Sequence, residues 1–198
     1  MDIVGSVLGL ALLGLPMAVI ALAVRLESRG AAIFRQRRAG RGGKPFWMLK
    51  FRTMRADVDP YGGSPHSGDD PRLTRLGRLL REKSLDELPQ LINVLLGQMS
   101  LVGPRPLYER QAELWNARQR RRLDVRPGIT GYAQVRGRGD MTIEEKLELD
   151  VRYVENQSIW LDIAIILRTI ADFFRVGRPG IYEQRYSRDQ ERESHRQA

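Results

Sequence analysis

The densest group of residues able to do chemistry is Ser84-Leu85-Asp86-Glu87-Leu88-Pro89-Gln90. Two adjacent carboxylates stand at what reads as a helix start. There, unpaired N–H groups and the positive end of the helix dipole attract phosphate and keep a carboxylate ionised. Neighbouring helical residues point about 100° apart, so Asp86 and Glu87 do not share one role. One can attack an electrophile while the other holds a metal ion. An ordinary structural reading fits the same residues: Ser84 and Glu87 have capping-box spacing, and Asp86 complements the dipole.

Groups suited to phosphate lie on either side. Arg81 precedes Asp86, and Arg105 is mounted between Pro104 and Pro106 in Gly103-Pro104-Arg105-Pro106. The flanking prolines restrict the backbone, so the guanidinium loses little entropy on binding, and a planar fork suits a diphosphate. Lys50 and Arg52 read either as further anion contacts or as solvated strand charge. The sequence contains no Walker-type glycine loop, dinucleotide fingerprint or Ser/His/Asp set. With no cysteine and only His66 and His195, thiol chemistry is excluded and a His-based zinc site is disfavoured. Any metal would be a hard cation held by carboxylates and phosphates.

The elements that position these groups follow an apolar stretch, Ile3 to Val24, interrupted by Pro16. As a straight helix it would measure about 33 Å, close to the hydrocarbon thickness of a bilayer. A signal peptide is disfavoured, because the only charge before the apolar run is Asp2. Arg25, Arg29, Arg35, Arg37, Arg38, Arg41 and Lys44 crowd its C-terminal flank, which the positive-inside rule places in the cytoplasm. Pro16 removes a backbone donor, so it can kink a spanning helix or break it into a re-entrant hairpin. The residue count gives 33 Lys+Arg against 24 Asp+Glu, a net charge of +9 that favours anionic partners without choosing among them.

Ala32 to Arg35 and Phe46 to Phe51 read as strands joined by a turn at Gly40 to Gly43. Phe46, Trp47 and Phe51 suit either a membrane interface or a core. Asp57 to Arg72 reads as a loop, Leu73 to Arg81 as a helix, and Ser84 to Gly97 as a second helix with Leu88, Leu91, Ile92, Leu95 and Leu96 on one face. Leu107 to Leu123 reads as a helix carrying Arg118, Arg120, Arg121 and Arg122. Thr142 and Glu145 open another through about Asn156. Ser158 to Phe174 is amphipathic, with Trp160 near its start, as in a helix lying in a lipid interface. Residues 175–198 read as a polar, disordered tail.

Several of these runs occur together in one known family. Lys50-Phe51-Arg52-Thr53-Met54, Ser84 to Leu91, Met99 to Pro106, Arg126 to Gly131 with Ala133-Gln134-Val135, and Lys146-Leu147 with Asp150 resemble, in order, the bacterial sugar transferases. These are monotopic phosphoglycosyl transferases. The resemblance covers nearly everything from the apolar start to about Phe174. It implies an α+β fold, helix-rich with a small β-hairpin, one re-entrant membrane helix over 1–24 and amphipathic interfacial helices, with the catalytic domain at 25–174. It implies transfer of a sugar-1-phosphate from a UDP-sugar to polyprenyl (undecaprenyl) phosphate, with UMP released, at the start of a lipid-linked glycoconjugate pathway. Asp86 would attack the sugar-bearing phosphorus to form a covalent phosphosugar, and Glu87, beside Asp86, would help bind Mg2+. Arg81 and Pro104-Arg105-Pro106 match the family's substrate-binding positions. The expected place is the bacterial inner membrane, with the catalytic domain on the cytoplasmic face. Relatives break the membrane helix at a Ser-Pro pair, whereas here Leu15 precedes Pro16.

A reading from a different class is a membrane-tethered binding protein for nucleic acid or anionic lipid, with Arg118 to Arg122 as its footprint. It leaves the Pro-Arg-Pro mount and the adjacent carboxylates unexplained. On the family reading, the partners are UDP-sugar, polyprenyl phosphate and membrane lipid, with no nucleic acid.

Overall fold

The computed structural model describes residues 1–58, 70–136 and 141–174. The middle of the expected loop at 57–72 and the expected disordered tail at 175–198 lie outside the described residues.

The chain opens with helix α1, Asp2–Glu27, which runs through Pro16. Strands β1 (Ile33–Ala39) and β2 (Pro45–Phe51) form the expected antiparallel hairpin. Its turn carries Gly42 and Gly43 at φ of 65° and 75°, a region that side chains rarely adopt. Helix α2 (Arg75–Glu82) begins at Thr74, whose Oγ1 accepts from the Gly77 N–H at 2.9 Å. Helix α3 (Gln90–Leu95) and strand β3 (Ser100–Val102) lead into the Pro-Arg-Pro segment. Two short helices follow, α4 (Glu109–Glu113) and α5 (Ala117–Arg120). Strand β4 (Gly128–Thr130) pairs in parallel with β3. Helices α6 (Tyr132–Arg136), α7 (Ile143–Glu155) and α8 (Ile159–Phe174) complete the order. The architecture is the expected α+β one, helix-rich with small sheets.

Two expectations need correction. Ser84 does not cap a helix: it sits at φ 54° with no side-chain cap bond. Leu85–Glu87 is instead a single 3₁₀ turn, closed by Leu88 N–H donating to Leu85 O at 3.3 Å, and α3 starts only at Gln90. Pro89 explains the break. It has no N–H for the Leu85 carbonyl four residues back, and its ring crowds that carbonyl. The expected helix over 107–123 is likewise broken, because Asn116 and Gln119 form a capping box that starts α5 afresh behind the buried Trp115. The capping box at Thr142 and Glu145 is as expected.

Phe46 and Phe51 belong to the core, whereas Trp47 is exposed. Phe51 packs with Val24, Ala32 and Leu80, so α1 is joined to the hairpin and α2 by apolar contact. Full burial of side chains such as Phe51 and Leu80 is worth roughly 1.5–3 kcal/mol each. A second cluster, Phe46, Met48, Val94 and Met99, holds α3 against β2. Asn93 fastens the same junction: its Oδ1 accepts from Leu49 N–H at 2.9 Å and its Nδ2 donates to Trp47 O at 2.8 Å. Tyr153 of α7 donates its hydroxyl to Asp162 of α8 at 2.7 Å.

Among the described residues, α1 is the one helix long and apolar enough to cross a membrane. Its outward residues, such as Leu12 and Leu15, are 78% and 77% exposed. Both of its ends rest on the same body. Asp2 Oδ1 accepts from Ser100 Oγ at 2.9 Å and from Leu101 N–H at 3.1 Å, while Glu27 Oε1 accepts from Leu76 N–H at 3.0 Å. Helix α8 buries Asp162 and Ile165 and leaves Ile159, Trp160, Leu167, Ile170, Phe173 and Phe174 exposed, the one-sided pattern of an interfacial helix.

Candidate active site

Three elements converge on one cleft. The 3₁₀ turn supplies Glu87, β2 supplies Lys50, and the Pro104-Arg105-Pro106 segment after β3 supplies Arg105. Glu87 Oε1 accepts from Lys50 Nζ at 2.8 Å and from Arg105 Nη2 at 3.0 Å. The cleft is open to solvent, and Arg38, Gln90, Pro106 and Gly128 line it together with these three. Asp86 lies in the same turn, buried at 7% exposure, and is not among the lining residues. Arg81, half-buried, ends α2 just before the turn.

Electrostatics here are set by two cations against one carboxylate. Burial alone would push the Glu87 carboxyl up, but Arg105 and Lys50 outweigh it and hold it at about 2. Glu87 is therefore an anion at every physiological pH.

Close backbone packing mounts the Arg105 segment. Gly103 N–H donates to Thr130 O and Gly128 N–H to Pro104 O, each at 2.9 Å. A Cβ at Gly128 would collide with the Gly103 backbone, so glycine is required for this approach. From behind, Arg122 Nη2 donates to the Arg105 carbonyl at 2.7 Å.

Arg52 departs from expectation. The strand ends at Phe51, and the Arg52 guanidinium lies on the C-terminal end of α1, donating to Ser28 O at 2.6 Å, Arg29 O at 2.8 Å and Ser28 Oγ at 2.9 Å. Unpaired carbonyls at the negative end of a helix are a natural seat for a cation. Arg52 is thus engaged in capping rather than in the cleft. Conversely, Arg38 lines the cleft, although its place in the sequence suggests only a basic flank. The signal was available in the register. Arg38 opposes Phe46 and Lys50 opposes Phe34, so Arg38 and Lys50 share one face of the hairpin.

The Arg118 to Arg122 cluster is paired within the protein. Arg118 meets Glu148 at 2.8 Å and Glu155 at 3.2 Å, and Arg121 meets Glu155 at 2.7 Å. Arg120 Nε donates to Trp115 O at 2.9 Å, and Arg122 pairs with buried Asp150 at 2.5 Å. This cluster is a strut between the α5 region and α7.

Comparison with known proteins gives the family. The family model described as bacterial sugar transferase matches residues 1–176. The UDP-glucose:undecaprenyl-phosphate glucose-1-phosphate transferase of Caulobacter vibrioides is 46% identical over 179 residues, covering 86% of this chain and 67% of that protein. An uncharacterized sugar transferase of Bacillus subtilis, EpsL, is 50% identical over 147 residues, 74% of this chain and 72% of its own. The Escherichia coli protein of the same name as the Caulobacter one is 42% identical over 181 residues, but the match spans 85% of this chain and only 38% of that longer protein. With a cleft that pairs two cations to a carboxylate beside Asp86, and with a match along almost the whole described body, the chain belongs to the bacterial sugar transferase family.

Proposed function

We propose that this chain transfers a sugar-1-phosphate from a UDP-sugar to polyprenyl phosphate, through a covalent intermediate on Asp86, at the cytoplasmic face of a bacterial inner membrane. The observation that carries the reading is the meeting of Glu87, Lys50 and Arg105 from three separate elements beside Asp86. Relatives named as undecaprenyl-phosphate glucose-1-phosphate transferases support the substrate class.

The reaction divides into two in-line displacements. An Asp86 carboxylate oxygen attacks the sugar-bearing phosphorus, and the bond from that phosphorus to the bridging oxygen breaks. UMP departs with the bond's electron pair. A phosphate oxygen of the lipid then attacks the same phosphorus and releases the Asp86 carboxylate. Lys50 and Arg105 hold the diphosphate; an ammonium carries three N–H groups and a guanidinium five, so each can bind Glu87 and a phosphate oxygen together.

The residues fit a magnesium ion that arrives with substrate. Such an ion is ordinarily held by one or two carboxylates plus phosphates, and among the described residues no set of three or more His, Asp or Glu forms a self-contained site. Glu87 with Asp86 would hold it, and when bound it neutralises charge on the diphosphate. Incubation with UDP-glucose and no lipid tests the proposal: UMP in an amount equal to enzyme, with a phosphosugar adduct on Asp86, is expected. No UMP and no adduct until lipid is added, followed by turnover, would replace the covalent route with direct transfer.

The membrane reading rests on α1. With Asp2 bound to β3 and Glu27 to α2, a re-entrant placement keeps both ends on the cytoplasmic side, and Pro16 gives the helix room to bend. Ile3→Cys in this cysteine-free chain should resist impermeant thiol reagents in intact cells and react after permeabilisation. Labelling in intact cells would establish a spanning helix.

A further inference from the structure

The cleft has a third cation, held by an aromatic ring and a buried amide. The Arg38 guanidinium lies 3.7 Å from the centroid of the Tyr108 ring. Its Nη2 and Nε donate to Gln36 Oε1 at 2.5 and 3.2 Å. Gln36 is buried, and its Nε2 donates to the Tyr108 hydroxyl at 3.0 Å, which fixes the orientation of the amide. The guanidinium therefore has its plane set by an aromatic face and its edge set by an amide. That costs rotamer freedom in a long, flexible side chain. A surface arginine needs no such mount. This one borders a cleft whose other cations are Lys50 and Arg105.

Its position along the hairpin says which part of a substrate it meets. Arg38 opposes Phe46, four residues before Lys50 on the same face, or ~13 Å along the strand. Lys50 is bound to Glu87, next to Asp86, and so marks the end where the sugar-bearing phosphorus must lie. Arg38 stands toward the other end, where the departing half of the molecule must extend. We propose that Arg38, braced by Tyr108 and Gln36, binds the phosphate of the departing nucleotide. This deepens the transferase reading and rests on it. On this assignment Lys50 and Arg105 hold the phosphate that stays with the sugar, and Arg38 takes up the charge that develops on the leaving one.

Equilibrium binding separates this role from a structural one. Full-length protein in lipid nanodiscs is titrated calorimetrically with UMP, uridine and inorganic phosphate, with thermal unfolding recorded for every variant. Arg38→Met should weaken UMP about tenfold or more, the loss of a charge-assisted contact, and leave uridine unchanged. Arg38→Lys should fall between, because it keeps the charge but not the fork. Tyr108→Phe keeps the ring but removes the hydroxyl that orients Gln36 and should weaken UMP about twofold, whereas Tyr108→Leu should weaken it about fivefold. Should Arg38→Met fail to fold, Arg38→Lys and Tyr108→Leu carry the decision. Unchanged UMP affinity in the folded Arg38 variants would overturn the assignment, as would equal losses for UMP and uridine. A parent protein that binds no UMP would overturn the transferase reading itself, a different result.

Discussion

Glu87 and Asp150 are both acids paired with arginine in enclosed surroundings, and those surroundings push them in opposite directions. At Asp150 burial dominates and pushes the carboxyl up, against the pull of Arg122; their side chains are only 5% and 2% exposed. At Glu87 burial acts the same way, but Arg105 and Lys50 together overcome it. At Asp150 lost hydration outweighs the bonded Arg122 and the field of Arg105, whereas at Glu87 two directly bonded cations, Lys50 and Arg105, outweigh it. The difference separates a pair closed inside the fold from one at the wall of a cleft. Arg122 touches only the protein: Asp150, the Arg105 carbonyl and the Trp115 ring, 4.7 Å away. Lys50 and Arg105 line the cleft.

The largest effect expected lies beside Glu87. Asp86→Asn should lower UMP release at least about a thousandfold, since an amide is a poor nucleophile. Its thermal midpoint should stay near that of the parent. Comparable activity, once deamidation is excluded by mass, would remove Asp86 from the chemistry. On the structural side, Arg122→Met leaves Asp150 buried without its cation and should destabilise the fold by about 3–5 kcal/mol, read by denaturant unfolding. The Arg122→Met, Asp150→Leu double variant should recover much of that loss. No recovery would mean that the Arg105 carbonyl and Trp115 contacts, rather than the ion pair, carry Arg122's contribution.

A third test uses pH. The Glu87 carboxyl is held at about 2 in the folded chain against an ordinary 4.5. A lowered value contributes stability above the unfolded value and loses it as pH falls, so the loss should run from about 4.5 down to about 2. In Glu87→Gln this part of the acid slope should be missing. Equal slopes for variant and parent would mean that Lys50 and Arg105 do not hold Glu87 in solution as they do here.

How much of this could be read beforehand differs between local and long-range features. Alternation revealed the hairpin, and the Thr142 capping box revealed the start of α7, because both signals lie within a few residues. Glu87, Lys50 and Arg105 were each identifiable by type, although their meeting depends on Asn93 and on the Gly103–Gly128 approach. The 3₁₀ turn at Leu85–Glu87 was obscured by capping-box spacing at Ser84, and Pro89 was the overlooked signal. No local signal places Arg52, because its destination, the end of α1, is 23 residues or more away in sequence. Arg38 was missed because cleft membership requires the strand register.

The smallest effect belongs to the exposed members of the arginine strut, and it bears on the binding-protein reading. Arg118 and Arg121 have the composition of a nucleic-acid footprint, yet Glu148 and Glu155 already face them at 2.7 to 3.2 Å. A polyanion would have to displace those carboxylates, whereas at the cleft the cations outnumber the single acid they share. Exposed pairs of this kind contribute little, and salt screens them, with a Debye length of about 3 Å at 1 M. The Arg118→Gln, Arg121→Gln double variant should therefore show a slightly lower thermal midpoint at low salt and none of that deficit at high salt. UMP affinity should be unchanged, because neither side chain lines the cleft. The informative measurement is retention on anionic vesicles and on single-stranded DNA before and after the substitutions. If the double variant loses that retention while keeping UMP binding, the strut is a second anion surface and its carboxylates yield to a polyanion. If retention is unaffected, the net positive charge that matters is the part gathered around Glu87.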